Sequence, residues 1–125
     1  MRNTREETLQ QAIDDVKKAA ENLPDITAVK DGEISSPAAY HLLSEIYIAV
    51  GKNQEAVDAA SKVINNPALA LMKQRFGSRA NETPGDVYWD LYQVNNQNRA
   101  TGNTECLWVI QYETNFQVEE VLLLI

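Results

Sequence analysis

The chain has 125 residues and a net charge of -7, with 18 acidic against 11 basic side chains. That length gives one domain with a core burying about two-thirds of the unfolded surface; 44% hydrophobic and 23% charged residues exclude wholesale disorder, and the acidic balance argues against nucleic-acid backbone or anionic lipid as a partner. A single cysteine and a single histidine exclude an internal disulfide, a cysteine-based zinc site and paired-histidine metal motifs.

A first helix is predicted over residues 4–23. Thr4 and Glu7 have the spacing of a capping box, in which hydroxyl and carboxylate each satisfy an orphan backbone donor. Leu9, Ala12, Ile13, Val16, Ala19, Ala20 and Leu23 then recur at three and four residues, forming one apolar stripe. Asn22-Leu23-Pro24 ends it, because the residue before proline avoids the helical region. Residues 25–34 form a loop with a turn signal at Asp31-Gly32.

A second helix spans 37–50, with Ser36 as N-cap and Pro37 at the first helical position. Its expected buried face is Ala39, Leu42, Leu43, Ile46, Tyr47 and Val50, and Gly51 closes it. Asn53 caps a third helix over 54–65, with Ala56, Val57, Ala60, Val63 and Ile64 inward and Asn65-Asn66-Pro67 as its stop. The link between these two helices is so short that they must pack antiparallel.

Residues 66–104 are loop-rich. A short helix over 68–76 and another over 86–92 are predicted, with a turn at Thr83-Pro84-Gly85 between them and a polar loop over 95–103 after them. Residues 105–112, Glu105 to Tyr112, read as a short strand rich in β-formers. Residues 117–125 end the chain in Val121, Leu122, Leu123, Leu124 and Ile125. Exposing such side chains costs about 1.5–3 kcal/mol each, so this segment is expected to pack on the core or to mediate self-association. The fold class is mainly α.

The residues with chemical potential do not assemble a reaction centre. His41 falls on the solvated face of the second helix. Asp14-Asp15 and Glu119-Glu120 are adjacent pairs, and helical neighbours diverge by about 100°, so they do not converge on one atom. Cys106 lies in an apolar stretch and reads as an inert buried thiol. No base, nucleophile and oxyanion donor can be brought together, so no enzyme activity, catalytic residue, metal or cofactor is expected. No apolar run nears the roughly 20 residues of a membrane span, and no signal-peptide pattern follows the N-terminus.

Tyr40, Leu43, Tyr47, Gly51, Ala56 and Ala60 fall where a tetratricopeptide-type helix pair places large, large, aromatic, turn, small and small residues. Ser44 stands where that repeat usually has glycine or alanine. One repeat cannot bury its face alone, so the first helix is expected to supply the neighbouring surface.

A wider pattern is more specific. Ile13-Asp14-Asp15-Val16 running to Leu23-Pro24, Ala38-Ala39-Tyr40 through Gly51, Glu55-Ala56-Val57 through Ile64, and Leu71-Met72 with Arg75-Phe76-Gly77 follow in order. Gly85-Asp86-Val87-Tyr88-Trp89-Asp90-Leu91, Asn96-Gln97-Asn98-Arg99 and Gly102-Asn103-Thr104-Glu105 leading into Trp108-Val109-Ile110-Gln111-Tyr112 complete the series. In order and spacing the chain resembles the SusD/RagB family of outer-membrane nutrient-binding lipoproteins, over nearly all of its length to about Tyr112. The resemblance implies a lipid-anchored protein at the surface of a Gram-negative cell. It implies capture of an oligosaccharide or polysaccharide and a partner in a SusC-like TonB-dependent transporter, on which the protein acts as a lid. Family members are longer at both ends, so the chain reads as one partial domain, an internal piece serving mainly as scaffold and transporter-facing surface. Alone it is expected to bind polysaccharide weakly or not at all.

The candidate ligand-binding residues are Tyr88, Trp89, Tyr92, Asn96, Gln97, Asn98 and Arg99. A sugar ring has apolar C–H faces and a rim of hydroxyls, and therefore needs flat aromatic surfaces beside amides and charges. A plainer role is open to the same stretch and is the favoured expectation: aromatics anchoring a long loop, with amides satisfying its own backbone through turns. Trp108 is expected in the core. The alternative function, from another class, is a self-contained helical module that binds a protein or peptide through its helical face.

Overall fold

The structure, a computed structural model, describes residues 3–111. The predicted apolar segment 117–125, the Glu119-Glu120 pair and the last residue of the predicted strand lie outside the described residues. The described part is mainly helical: α1 (Arg5–Asn22), α2 (Ser36–Ala49), α3 (Asn53–Ile64) and the short α4 (Val87–Leu91), followed by a 3₁₀ turn at Arg99–Thr101.

The local signals place the helices within a residue or so of expectation. Thr4 caps α1 through the predicted reciprocal box: Glu7 N–H donates to Thr4 Oγ1 at 3.1 Å, and Thr4 N–H donates to Glu7 Oε2 at 2.8 Å. Ser35, not Ser36, caps α2, which moves Pro37 to the second helical position. The Ser36 hydroxyl instead donates to Ala20 O at 2.6 Å, tying the start of α2 to the end of α1. Lys52 rather than Asn53 precedes α3.

Helix α2 packs on both α1 and α3. Their shared core is Ile13 from α1, Leu43 from α2 and Ala59 from α3, with Val16, Tyr40, Ile46, Tyr47 and Val50 packed around it. Gly51 turns the chain between α2 and α3 at φ +76°, a conformation that favours glycine. The inward face of α3 differs from the predicted one. Ala56 and Ala59 are buried, while Val57 and Ile64 are 58% and 76% exposed. Small residues facing α2 let the two helices approach closely, and the larger apolar side chains then point outward about 100° round the axis. Leu42 likewise sits half out of the core. Ser44 is buried beside it and satisfies its hydroxyl on His41 O at 2.7 Å. His41 is exposed, as expected.

Two predictions in the second half are corrected. Residues 68–76 form no helix. Their backbone groups are taken by distant partners instead: Ala70 N–H donates to Thr104 O, and Met72 N–H to Glu105 Oε2. Residues 105–111 form no strand, and the described residues contain none. Asn103 Oδ1 accepts from both Glu105 N–H and Cys106 N–H, curling the chain where a strand would have to run straight. Cys106 is half-buried, and burial pushes its thiol pKa up, in keeping with an unreactive thiol. No helix among the described residues is long and apolar enough to cross a membrane.

Candidate functional site

The seven predicted ligand residues separate into three environments. Helix α4 is the first. Asp86 caps it by accepting from Trp89 N–H at 2.7 Å. Tyr88 and Tyr92, four residues apart on one side, are 68% and 71% exposed. Their ring centroids lie 5.1 Å apart at an interplanar angle of 60°, and the Tyr92 hydroxyl donates to that of Tyr88 at 3.4 Å. That hydrogen bond pushes the Tyr92 phenol pKa up.

Trp89 has the plainer role. The guanidinium carbons of Arg75 and Arg79 stand 5.5 and 5.7 Å from its ring centroid, a cation–π arrangement. Arg75 in turn forms the hub of this half of the protein. Its Nε and Nη2 grip Asp90 at 2.6 and 3.1 Å, a two-pronged ion pair, and its other hydrogen bonds go to the carbonyls of Arg79, Glu82 and Gly85. Asp90 is fully buried and also accepts from Phe76 N–H at 3.1 Å. The Arg75 hydrogen bonds, against the opposing effect of burial, hold the Asp90 carboxyl below the ordinary carboxylate range.

Asn96, predicted to meet ligand, is fully buried in the same hub. Its Nδ2 donates to Asp90 O at 2.9 Å and Phe76 O at 3.3 Å, and its Oδ1 accepts from Ser78 N–H at 3.1 Å. It therefore locks α4 to the 76–78 turn and has no capacity left for a sugar. A Cβ at Gly77 would overlap the Asn96 carboxamide, so the turn admits only glycine there. Gln97 is half-buried beside this hub in sequence.

Asn98 and Arg99 lie elsewhere, in the wall of a recess of about 520 Å³ between the 26–33 loop and residues 98–109. Asn98 Oδ1 accepts from Gln111 Nε2 at 2.7 Å. Arg99 Nη2 donates to Ala68 O at 2.7 Å, and its Nη1 is buried with no partner among the described residues. Trp108 joins this wall and is 47% exposed, against the expectation of a core residue. Its indole N–H reaches Gly32 O at 2.9 Å across 76 residues of sequence. No periodicity pairs residues that far apart, so Lys30, Asp31, Glu33 and Trp108 had no signal as neighbours of Asn98. The hub residue Asp90 did carry one: an acid set among Val87, Tyr88, Trp89, Leu91 and Tyr92 needs a buried cation or backbone donors.

Among the described residues no cluster of histidine, cysteine, aspartate and glutamate is arranged to hold a metal ion. The arrangement presents an exposed aromatic pair in one place and a recess of mixed charge in the other. No family model, no curated protein and no solved structure matches this chain.

Proposed function

We propose that this chain is a non-catalytic, glycan-binding part of a SusD-like nutrient-binding lipoprotein, working at the outer membrane with a SusC-like TonB-dependent transporter. Its α2–α3 pair, with α1 as the neighbouring face, would be a tetratricopeptide-like scaffold. The ordered series of motifs from Ile13 to Tyr112 supports the family. Tyr47 packed against the Ile13–Leu43–Ala59 cluster, and the left-handed Gly51, support the scaffold.

One observation carries the binding role: Tyr88, on a helix of only five residues, and Tyr92, at its C-cap, stand bare. So short a helix has no stability of its own. A buried ion pair and a buried asparagine hold it in place, so the two rings are presented already ordered, and a ligand that stacks on them loses little further entropy. The sequence favours an anchoring role for these aromatics; Trp89 fills that role, and the exposure of the two tyrosines favours stacking.

Affinity electrophoresis in gels containing starch, xylan, pectin or mannan tests the reading. The sequence leads to an expectation of weak binding or none; the exposed tyrosine pair instead makes measurable retardation by at least one polymer the expected result, and Tyr88→Ala/Tyr92→Ala should abolish most of it. A stacked ring is worth about 0.5–1.5 kcal/mol beyond its buried area, so losing two weakens binding about tenfold or more. No retardation in any gel, or retardation indifferent to both tyrosines, refutes it.

A specific observation favours the second reading, a helical protein-interaction module. Val16, Ala19, Leu23, Ile34, Ala38 and Leu42 line an apolar groove between α1 and α2, open at the surface. On the SusD-like reading that face belongs to the rest of the protein or to the transporter.

A further inference from the structure

The recess beside Trp108 is separate from the tyrosine pair and is built differently. Two stretches distant in sequence form it, 26–33 and 98–109; Trp108 ties one to the other through Gly32, while Asn98 is held by Gln111 and Arg99 by Ala68 outside the recess. Gly32 sits at φ +90°, which turns its carbonyl toward the indole without strain only because the residue is glycine. The walls are therefore set before any ligand arrives. A volume of about 520 Å³ lies within the usual range for small-molecule sites.

The chemistry of the lining narrows the ligand. Lys30 and Arg99 are cationic, and Asp31 and Glu33 are anionic. Their formal charges cancel, so the recess selects neither an anion nor a cation, yet it offers strong donors and strong acceptors within one small space. Trp108 adds a half-exposed aromatic ring whose own N–H is already used on Gly32, so what remains to it is an apolar face. Arg99 Nη1 is shut off from solvent and unpaired among the described residues. That guanidinium therefore has donor capacity that the described residues leave unused. Hydroxyls that both donate and accept, on a ring with apolar faces, match this set; a fatty or aromatic ligand would strand the charges.

We propose that the recess is a binding subsite for one or two rings of a neutral saccharide, with Asp31 and Asn98 accepting from and donating to its hydroxyls, Arg99 donating, and Trp108 packing on a ring face. The proposal rests on the glycan reading for its class of ligand, and on none of the residues that carry that reading. With it the protein reads two features of a glycan, an exposed length of chain at Tyr88 and Tyr92 and a short stretch or end in the recess.

The test is titration of the full chain, followed through the indole N–H resonance of Trp108 in a ¹H–¹⁵N spectrum and assigned by its loss in Trp108→Phe. The probes are maltose, cellobiose, xylobiose and mannobiose, with glucosamine and galacturonic acid as charged counterparts. At least one neutral disaccharide should move the resonance. Asp31→Asn and Asn98→Ala should each weaken that response about tenfold, as loss of a charge-assisted or buried hydrogen bond implies. Asp31→Asn keeps the shape of an exposed loop residue, so its effect is not one of folding. No response to any neutral sugar, a response to the charged sugars alone, or a response that depends on Tyr88 and Tyr92 but not on Asp31 overturns the subsite. If the subsite fails while gel retardation still depends on the tyrosines, the glycan reading stands without it. If disaccharides bind the recess while retardation ignores the tyrosines, the subsite stands and the tyrosine platform falls.

Discussion

Replacing Asn96 by alanine should unfold the second half of the protein far more readily than it alters any ligand contact. The carboxamide is fully buried and serves three backbone groups: it donates to Asp90 O and Phe76 O and accepts from Ser78 N–H. Truncation leaves the Ser78 N–H without its acceptor and the Phe76 carbonyl without a donor, while Asp90 O keeps the Gln93 N–H at 3.2 Å. One buried unsatisfied group costs about 1–3 kcal/mol, and carbonyls tolerate the loss better than N–H groups do. A total of about 3 kcal/mol follows. For a chain of this size each kcal/mol moves the midpoint by about 3–5 °C, so a fall of about 10 °C is expected. Urea unfolding, followed both by tryptophan emission and by far-ultraviolet circular dichroism, measures it. The dichroism comes mostly from α1, α2 and α3, whereas both tryptophans, Trp89 on α4 and Trp108 in the recess wall, lie outside those helices, so the emission transition should shift to lower urea by more than the dichroism does. Gln97→Ala, one residue on and only half-buried, should cost little. A loss below about 0.5 kcal/mol in Asn96→Ala would refute the account, since surface substitutions alone do that much.

Two further outcomes follow from the packing and from the ion pair. Ala59→Leu should destabilise by about 1–3 kcal/mol through overpacking where α3 meets Leu43 and Ile13, and Ala60→Leu by less, because Ala60 is only half-buried; equal effects in thermal unfolding would contradict the observed face of α3. Asp90, held ionised by Arg75, has a folded pKa below its unfolded value near 3.9. Its contribution to stability is complete above that value and is lost as pH falls through the folded one. Melting temperature should therefore drop below about pH 4, and less steeply in Asp90→Asn; superimposable acid limbs in the two proteins would show that the pair contributes nothing to acid sensitivity.

What the sequence determined by itself is the helical half, because the signals there are local. A capping box spans three residues, an apolar stripe repeats at three and four, and proline or glycine punctuates each end. Thr4, Glu7, Pro24, Pro37 and Gly51 place α1, α2 and α3 to within a residue or so. Even there the rotation of α3 needed tertiary structure. Its sequence carries two overlapping apolar stripes, and only close approach to α2 selects Ala56 and Ala59 over Val57 and Ile64.

In the second half the sequence named residues of the right kind and could not sort them. Within Tyr88 to Arg99 it held exposed rings, a buried ion-pair partner and a buried carboxamide side by side, with nothing local to tell Asn96 from Asn98. What separates them is which backbone groups lie within hydrogen-bonding reach. Those partners are 15 residues away for the Arg75–Asp90 pair and 76 for Trp108 and Gly32. Pairings of that kind have no period to read, because loop closure over such lengths is governed by the whole packed chain rather than by neighbours. The tertiary structure alone therefore made Asn96 a strut and Tyr88 and Tyr92 a surface, and it alone brought Trp108 out of the core into the recess wall that Asn98 also lines.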